Sequence, residues 1–414
     1  MDITDEIKQL AKTALNDTSE HFSKIDETAQ FNTEKVLKAF QRYKVSETDF
    51  AATTGYGYND RGREKLDLIY ADIFGMSSAL VRHGFVSGTH AITTALFAML
   101  KPGSTLISVS GLPYDTLLGV IGIKHSYKGS LKEYGIKYRQ VELNEDGSPN
   151  IIAICEAVRN EKSGAVLIQR SGGYSGRRAL TVSEIGEICK AVKDANKDFY
   201  VFTDNCYGEF TETIEPGDVG VDLIAGSLIK NPGGGLAPTG GYVAGKPDLV
   251  EAAAARYAAP GIGFETGATL GINRLIFQGL YMAPHIVAQA IKSVVFAARL
   301  FELMGFKTYP GYLDKRSDIV QVIELGSPEL VKRFCLAIQN ASPIDSYVTP
   351  VESEMPGYES PVIMAAGTFI QGASIELTAD APMRKPYNVY LQGGLTFESS
   401  KYSIMLAATN LIVS

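Results

Sequence analysis

Between residues 100 and 250 the apolar positions fall into short runs, at 105–109, 165–168, 199–202 and 221–225. Each run has the length of a strand. Before and between them lie segments whose apolar residues recur at helical spacing, at 89–100, 114–121 and 182–192. The last of these opens with a capping box, Thr181 followed by Glu184, and then places Ile185, Ile188, Cys189 and Val192 on one face. Strand and helix patterns alternating in this way predict a mostly parallel sheet with helices on both faces.

The flanking regions have a different rhythm. Residues up to about 50 read as charged and helical, with Asn32 as a cap for a helix that aligns Val36, Leu37 and Phe40. A second helix is expected at 61–74, carrying Leu66, Ile69, Tyr70, Ile73 and Phe74, with Gly75 ending it at positive φ. Beyond residue 250 come an alanine-rich helix at 247–258 and long helical patterns to about Met304. A strand at 318–324, a helix at 328–338 and further short strands follow. The chain therefore divides into an N-terminal helical arm (1–52), a large α/β domain (53–283) and a smaller C-terminal α+β domain (284–414).

Composition narrows the function. Charged residues make up 21% of the 414 and the net charge is −7, with no lysine or arginine block. That balance disfavours nucleic acid or an anionic membrane as the main partner and favours a small molecule. No stretch approaches the ~20 apolar residues of a membrane span, and the N-terminus has no signal-peptide core, so a cytoplasmic protein is expected. The four cysteines form no CxxC pair and the five histidines no HExxH, so no metal site is expected. Glycine, at 41 residues, is in excess and concentrates near Lys230.

Four segments carry candidate chemistry. In Phe85-Val86-Ser87-Gly88-Thr89-His90-Ala91, a glycine turn opens a helix whose free N–H groups favour an anion. Taken alone, a glycine before a helix is an ordinary turn in most proteins. Gly111-Leu112-Pro113-Tyr114 puts an aromatic at the start of another helix. The run Val201-Phe202-Thr203-Asp204 ends a strand in a carboxylate, where open α/β sheets bind ligands. Finally, Ser227-Leu228-Ile229-Lys230 precedes three successive glycines, small residues that would let a ligand approach the backbone.

In this chain order the four segments follow the arrangement of fold-type I pyridoxal phosphate (PLP) enzymes. The sequence resembles the Cys/Met-metabolism family of that fold, in its methionine gamma-lyase-like, aluminium-resistance branch. The motifs are SGTHAITTALFAML, SVSGLPYDTL, TDNCYGEF, AGSLIKNPGGGLAPTGGYVAG and RKPYNVYLQGGL, within a likeness covering about residues 50–410. The resemblance implies that PLP is held as a Schiff base on Lys230. It implies Asp204 against the pyridine nitrogen, Tyr114 over the ring and as proton donor, and Gly88, Thr89 and Ser227 around the phosphate. It also implies Tyr58 and Arg61 reaching the phosphate from a neighbouring subunit, with Tyr56 and Arg63 as alternatives, in a homodimer or homotetramer with shared sites. Arg384 is the candidate for a substrate carboxylate.

The sequence departs from the better-known lyases in lacking Arg-Leu-Ser-Val-Gly near its C-terminus. Arg170 stands where an asparagine near the PLP phenolic oxygen is expected. The implied reaction is a carbon–sulfur lyase acting on an amino acid of the cystathionine, methionine or cysteine type. It would proceed by Cα deprotonation and β- or γ-elimination to 2-oxo acid, ammonia and thiol. A transaminase on the same scaffold, or a PLP-binding stress protein without turnover, are the competing readings.

Overall fold

The computed structural model describes residues 2–123, 127–355 and 360–412. The chain opens with one continuous helix, α1 (Asp5–Arg42), capped by the Thr4 side chain, which accepts from the Ile7 N–H. The expected cap at Asn32 is therefore corrected. Asn32 lies inside α1, fully buried, and its amide donates to the carbonyls of Phe210 and Glu212 at 3.1 and 3.0 Å. A residue type that suits caps is used here for a distant contact. Leu37, expected on the apolar face, is exposed. Helix α2 (Arg61–Ile73) starts at Asp60, which accepts from the Arg63 N–H, and Gly75 follows it at φ +66°.

The central rhythm holds. In chain order it runs β1 (Ser78–Arg82), α3 (Gly88–Met99), β2 (Thr105–Ser108), α4 (Asp115–Ile121), β3 (Lys137–Gln140), α5 (Ile151–Arg159), β4 (Gly164–Gln169), α6 (Val182–Ala195), β5 (Tyr200–Asp204), β6 (Leu223–Ser227) and β7 (Gly241–Gly245). Among the described residues these strands form one sheet in the order β1-β7-β6-β5-β4-β2-β3. Every pairing from β6 to β3 is parallel, and β7 alone runs antiparallel to its neighbours β1 and β6. Along β4, Ala165 and Leu167 pack with α3 and α4, while Val166 and Ile168 pack with α2, α5 and α6. Both faces are covered, which is why these strands read as mostly apolar runs rather than as alternating ones. The Thr181–Glu184 capping box forms as expected, each side chain accepting from the other residue's N–H.

After α7 (Pro247–Tyr257) comes α8 (Asn273–Leu303), a 31-residue helix. Its positions from Ile276 to Val295 join the core of the large sheet, and Phe296 to Phe301 join a second core. That second core is built with α9 (Pro328–Asn340), α10 (Phe397–Ile412) and a second sheet. The sheet is antiparallel, in the order β10 (Val362–Ala365), β11 (Thr378–Pro382), β12 (Asn388–Gln392), β9 (Val320–Glu324) and β8 (Lys307–Tyr309). The first turns of α1 also pack there, through Ile7, Ala11 and Ala14, so α1 and α8 tie the two cores together. No described helix is long and apolar enough to cross a membrane.

Candidate active site

The carboxyl ends of β4, β5 and β6 face the second sheet across a cavity. It is lined by Tyr114, Gln169, Ser171, Gly173, Tyr174, Asp204, Cys206, Tyr207, Lys230, Val320, Tyr390 and Gln392. This is where parallel α/β sheets bind ligands, because strand ends and following loops converge there. Lys230, Asp204 and Tyr114 thus come together from three separate segments. Two hydrogen bonds close the cavity from the second sheet's side: Ser171 donates to the Asp318 carboxylate at 2.7 Å, and Ser374 to the Tyr207 hydroxyl at 3.0 Å.

Each side chain is held by local structure. Asp204 is buried at the end of β5 and accepts from the Cys206 N–H at 3.1 Å. Burial pushes its carboxyl above the ordinary range, against the opposing pull of the Lys230 ammonium. Burial works against the charge on Lys230, but the acidic groups of Cys206, Tyr207, Asp204 and Glu209 outweigh it and raise the amine above the usual lysine. Tyr114 sits at the start of α4, its N–H donating to the Gln169 side chain at 2.7 Å, and its ring meets Tyr174 edge-on at 5.7 Å.

The N-terminus of α3 adjoins the same space. Ser87 caps the helix by accepting from the His90 N–H, and a Cβ placed on Gly88 would come within 3.3 Å of Ser227 Cβ and 3.5 Å of Cys206 Sγ. Gly88 thus lets the helix N-terminus pack close to Ser227 and to Cys206; Cys206 lines the cavity, whereas Gly88, Thr89 and Ser227 are not among its lining residues. Thr89 shares a hydrogen bond with Thr116 at 2.9 Å. An amine, a buried carboxylate and an aromatic face around one cavity, with a helix N-terminus packed beside its lining residue Cys206, fit a phosphorylated pyridine aldehyde such as PLP.

Comparison with known proteins agrees with this fit. Residues 7–412 match the family described as methionine gamma-lyase. The chain belongs to that family. It is 49% identical over 407 residues to YnbB of Bacillus subtilis (strain 168), described as uncharacterized, a match spanning 97% of this chain and 96% of that one. A solved structure described as a carbon-sulfur lyase involved in aluminum resistance from Clostridium novyi NT superposes with TM-score 0.95 at 50% identity, covering 99% of this chain and 97% of the other. The pyridoxal-5'-phosphate dependent protein YhfS from Escherichia coli, at 18% identity, shares the fold, with TM-score 0.62 over 93% of this chain and 96% of its own. The fold is that of fold-type I PLP-dependent enzymes, as the family's name and this neighbour imply.

Other residues singled out in the sequence lie elsewhere. Arg170 does not reach the cavity. It is fully buried on the opposite side of the strand end, donating to Asn205, Thr211 and Glu212 and facing Glu215 at 3.5 Å. Strand alternation explains this, since Gln169 and Ser171 take the cavity side. Tyr58 is 57% exposed and stacks on Tyr56, and Arg61, also exposed, lies 3.9 Å from Asp49, so within one chain neither lines the cavity. Arg63 is buried and donates to the carbonyls of Gly57, Gly267 and Glu265. Arg384 lines an adjoining hollow that shares Tyr174 and Tyr390 with the cavity.

The glycines after Lys230 serve packing rather than ligand approach. A Cβ at Gly233 would sit 1.7 Å from the Leu228 carbonyl oxygen, and one at Gly234 2.3 Å from that of Gly279 on α8. Sequence reasoning also missed Gln169, Ser171, Tyr174, Tyr207, Tyr390, Gln392 and the free thiol Cys206 as cavity residues. For Gln169 and Ser171 the period-two pattern was available; for the others no local signal marks them.

Proposed function

We propose that this chain is a PLP-dependent carbon–sulfur lyase that eliminates a thiol from a sulfur-containing amino acid of the cystathionine, methionine or cysteine type. The observation that carries the reading is the convergence of Lys230, Asp204 and Tyr114 on one cavity at the strand ends. The carbon–sulfur lyase description of the Clostridium novyi relative supports it further. When bound, PLP supplies an electron sink for charge developing at the substrate Cα.

The chain's own residues supply the rest. Lys230 would hold the cofactor through its Nζ and, as a neutral amine once released, would remove the substrate Cα proton. Asp204 keeps a proton on the pyridine nitrogen. Gly88, Thr89 and Ser227 hold the phosphate at the N-terminus of α3. Tyr114 would stack on the cofactor ring and give a proton to the departing sulfur, while Arg384, in the adjoining hollow, would pair with the substrate α-carboxylate. Tyr58 and Arg61 act in a neighbouring subunit of a homodimer or homotetramer, since each points outward from its own chain.

The test is an absorption spectrum of the purified protein with and without borohydride, followed by assay on cystathionine and methionine. A yellow chromophore bleached by borohydride, with the reduced cofactor mapped to Lys230 and absent from Lys230→Ala, is expected, together with 2-oxo acid and free thiol. A colourless protein that takes up no added PLP would refute the cofactor. Oxo acid that requires an amino acceptor, without thiol, would replace the lyase with a transaminase.

A further inference from the structure

Tyr207 stands apart from the residues that the function above employs. Lys230 Nζ lies 3.9 Å from the centre of its ring, over the face, and among the described residues that ammonium makes no hydrogen bond. The backbone of Tyr207 is left-handed, at φ +72°, a conformation that bulky residues rarely adopt. Its carbonyl accepts from the side chain of Asn231, the residue immediately after Lys230, at 3.0 Å; the same amide donates to the Glu209 carbonyl at 2.9 Å. Ring and lysine are thereby fixed in mutual register. The hydroxyl accepts from Ser374, just ahead of β11, and the ring packs against both cores of the large sheet and against Val320, Val322 and Tyr390 of the second sheet.

We propose that Tyr207 is a positioning residue that seats the free amine of Lys230. Its ring face is where the ammonium rests whenever the lysine is not bonded to cofactor, and the Ser374 contact ties that seat to the second sheet. A ring quadrupole attracts an ammonium at this distance and, unlike a carboxylate, leaves it free of a tight ion pair. The amine is therefore parked as an ammonium aimed into the cavity, and it must give up its proton and leave the ring face before it can attach cofactor or take a proton from substrate. The proposal rests on Lys230 being the cofactor lysine.

The other groups facing this amine are Asp204 on β5, Cys206 and Glu209 in the loop after it, and Asp380 on β11. They are the same in every variant below, so differences between variants report the ring. Reductive methylation of the cofactor-stripped full-length protein with formaldehyde and cyanoborohydride, read by peptide mass spectrometry, gives the rate at Lys230 against pH, with the exposed lysines as internal standards. Loss of the ring face removes a stabiliser of the charged form and lowers the midpoint. For Tyr207→Leu we expect a downward shift of about one pH unit and roughly tenfold faster methylation below the midpoint. Tyr207→Phe, which keeps the face and loses the hydroxyl, should shift the midpoint clearly less than Tyr207→Leu does. Tyr207→Met replaces the Leu variant if that one does not fold. A ringless variant with the wild-type midpoint overturns the proposal, as does a Phe variant that shifts as far as the ringless one. Failure of the underlying reading looks different: borohydride would then fix the cofactor to another lysine, whatever the methylation profile at Lys230.

Discussion

Near Lys230 the structure keeps two carboxyl groups in different settings. Asp204 faces the cavity and the ammonium, whereas Glu209 is buried behind the strand ends, where burial pushes it up to about 8 despite the hydrogen bond it accepts from Tyr242 at 2.9 Å. A carboxyl raised in the folded state holds a proton that the unfolded chain releases near 4.5, the ordinary value. Between those two values the folded form binds more protons, so this group's contribution to stability declines as pH rises from about 4.5 to about 8. The slope approaches about 1.4 kcal/mol per pH unit in mid-window. Glu209→Gln keeps an acceptor for Tyr242 and has no proton to lose. Urea unfolding at pH 5.5 and 7.5 should therefore show the wild type losing at least ~1 kcal/mol relative to the variant; parallel pH dependences for the two proteins would refute a protonated Glu209. Nothing in the sequence marks Glu209 as buried. It follows Asp204 in a stretch that reads as a polar loop, and its burial depends on Tyr242 and Gly226 arriving from β7 and β6.

At the scale of elements, legibility follows locality. The capping box of α6, the end of α2 and the strand runs of the large sheet are written in neighbouring residues, and the fold uses them as written. Asn32 fails because the same side chain suits a cap or a distant pair of carbonyls, and only the arrival of Phe210 and Glu212 decides between them. The turn after Lys230 is the subtler case. Its glycines were visible, but their reason was not, because the surface that requires them is α8. A Cβ on Gly279 would lie 2.2 Å from the Gly233 carbonyl oxygen, a contact that real side chains do not make. Gly279→Ala forces helix and turn apart and should destabilise the protein by about 1–3 kcal/mol, the usual range for overpacking a close contact. Because the turn carries Lys230, the variant should also load cofactor more weakly than an unrelated variant of equal stability. Thermal denaturation paired with a cofactor titration distinguishes the two effects; a normal melting temperature would mean that the close approach of α8 and the turn is not required.

The cavity belongs to the whole molecule, since one wall comes from strand ends of the large sheet and the other from β9 and β12 of the second. Local patterns announced both sheets but not how they face each other, which is why Tyr390 and Gln392 escaped notice while Asp204 and Lys230 did not. Tyr56 and Tyr58 stack on each other at 5.4 Å and, with Leu270, Ile262 and Val86, leave large apolar side chains in solvent. Arg61 is 66% exposed, whereas the guanidinium of Arg63 is engaged by three carbonyls of its own chain. Of the two arginines, Arg61 is the one free to reach into a neighbour. If Lys230 and Arg61 of different subunits complete one site, two inactive variants must repair each other. In a hybrid of Lys230→Ala and Arg61→Ala subunits, one site combines both intact residues and the other combines both defects. Random pairing makes about half the dimers hybrids, so the mixture should regain about a quarter of wild-type activity. Co-expression with two different affinity tags isolates the hybrid for assay. Sites confined to single chains would leave one defect in every site, and the mixture would stay as inactive as its parents.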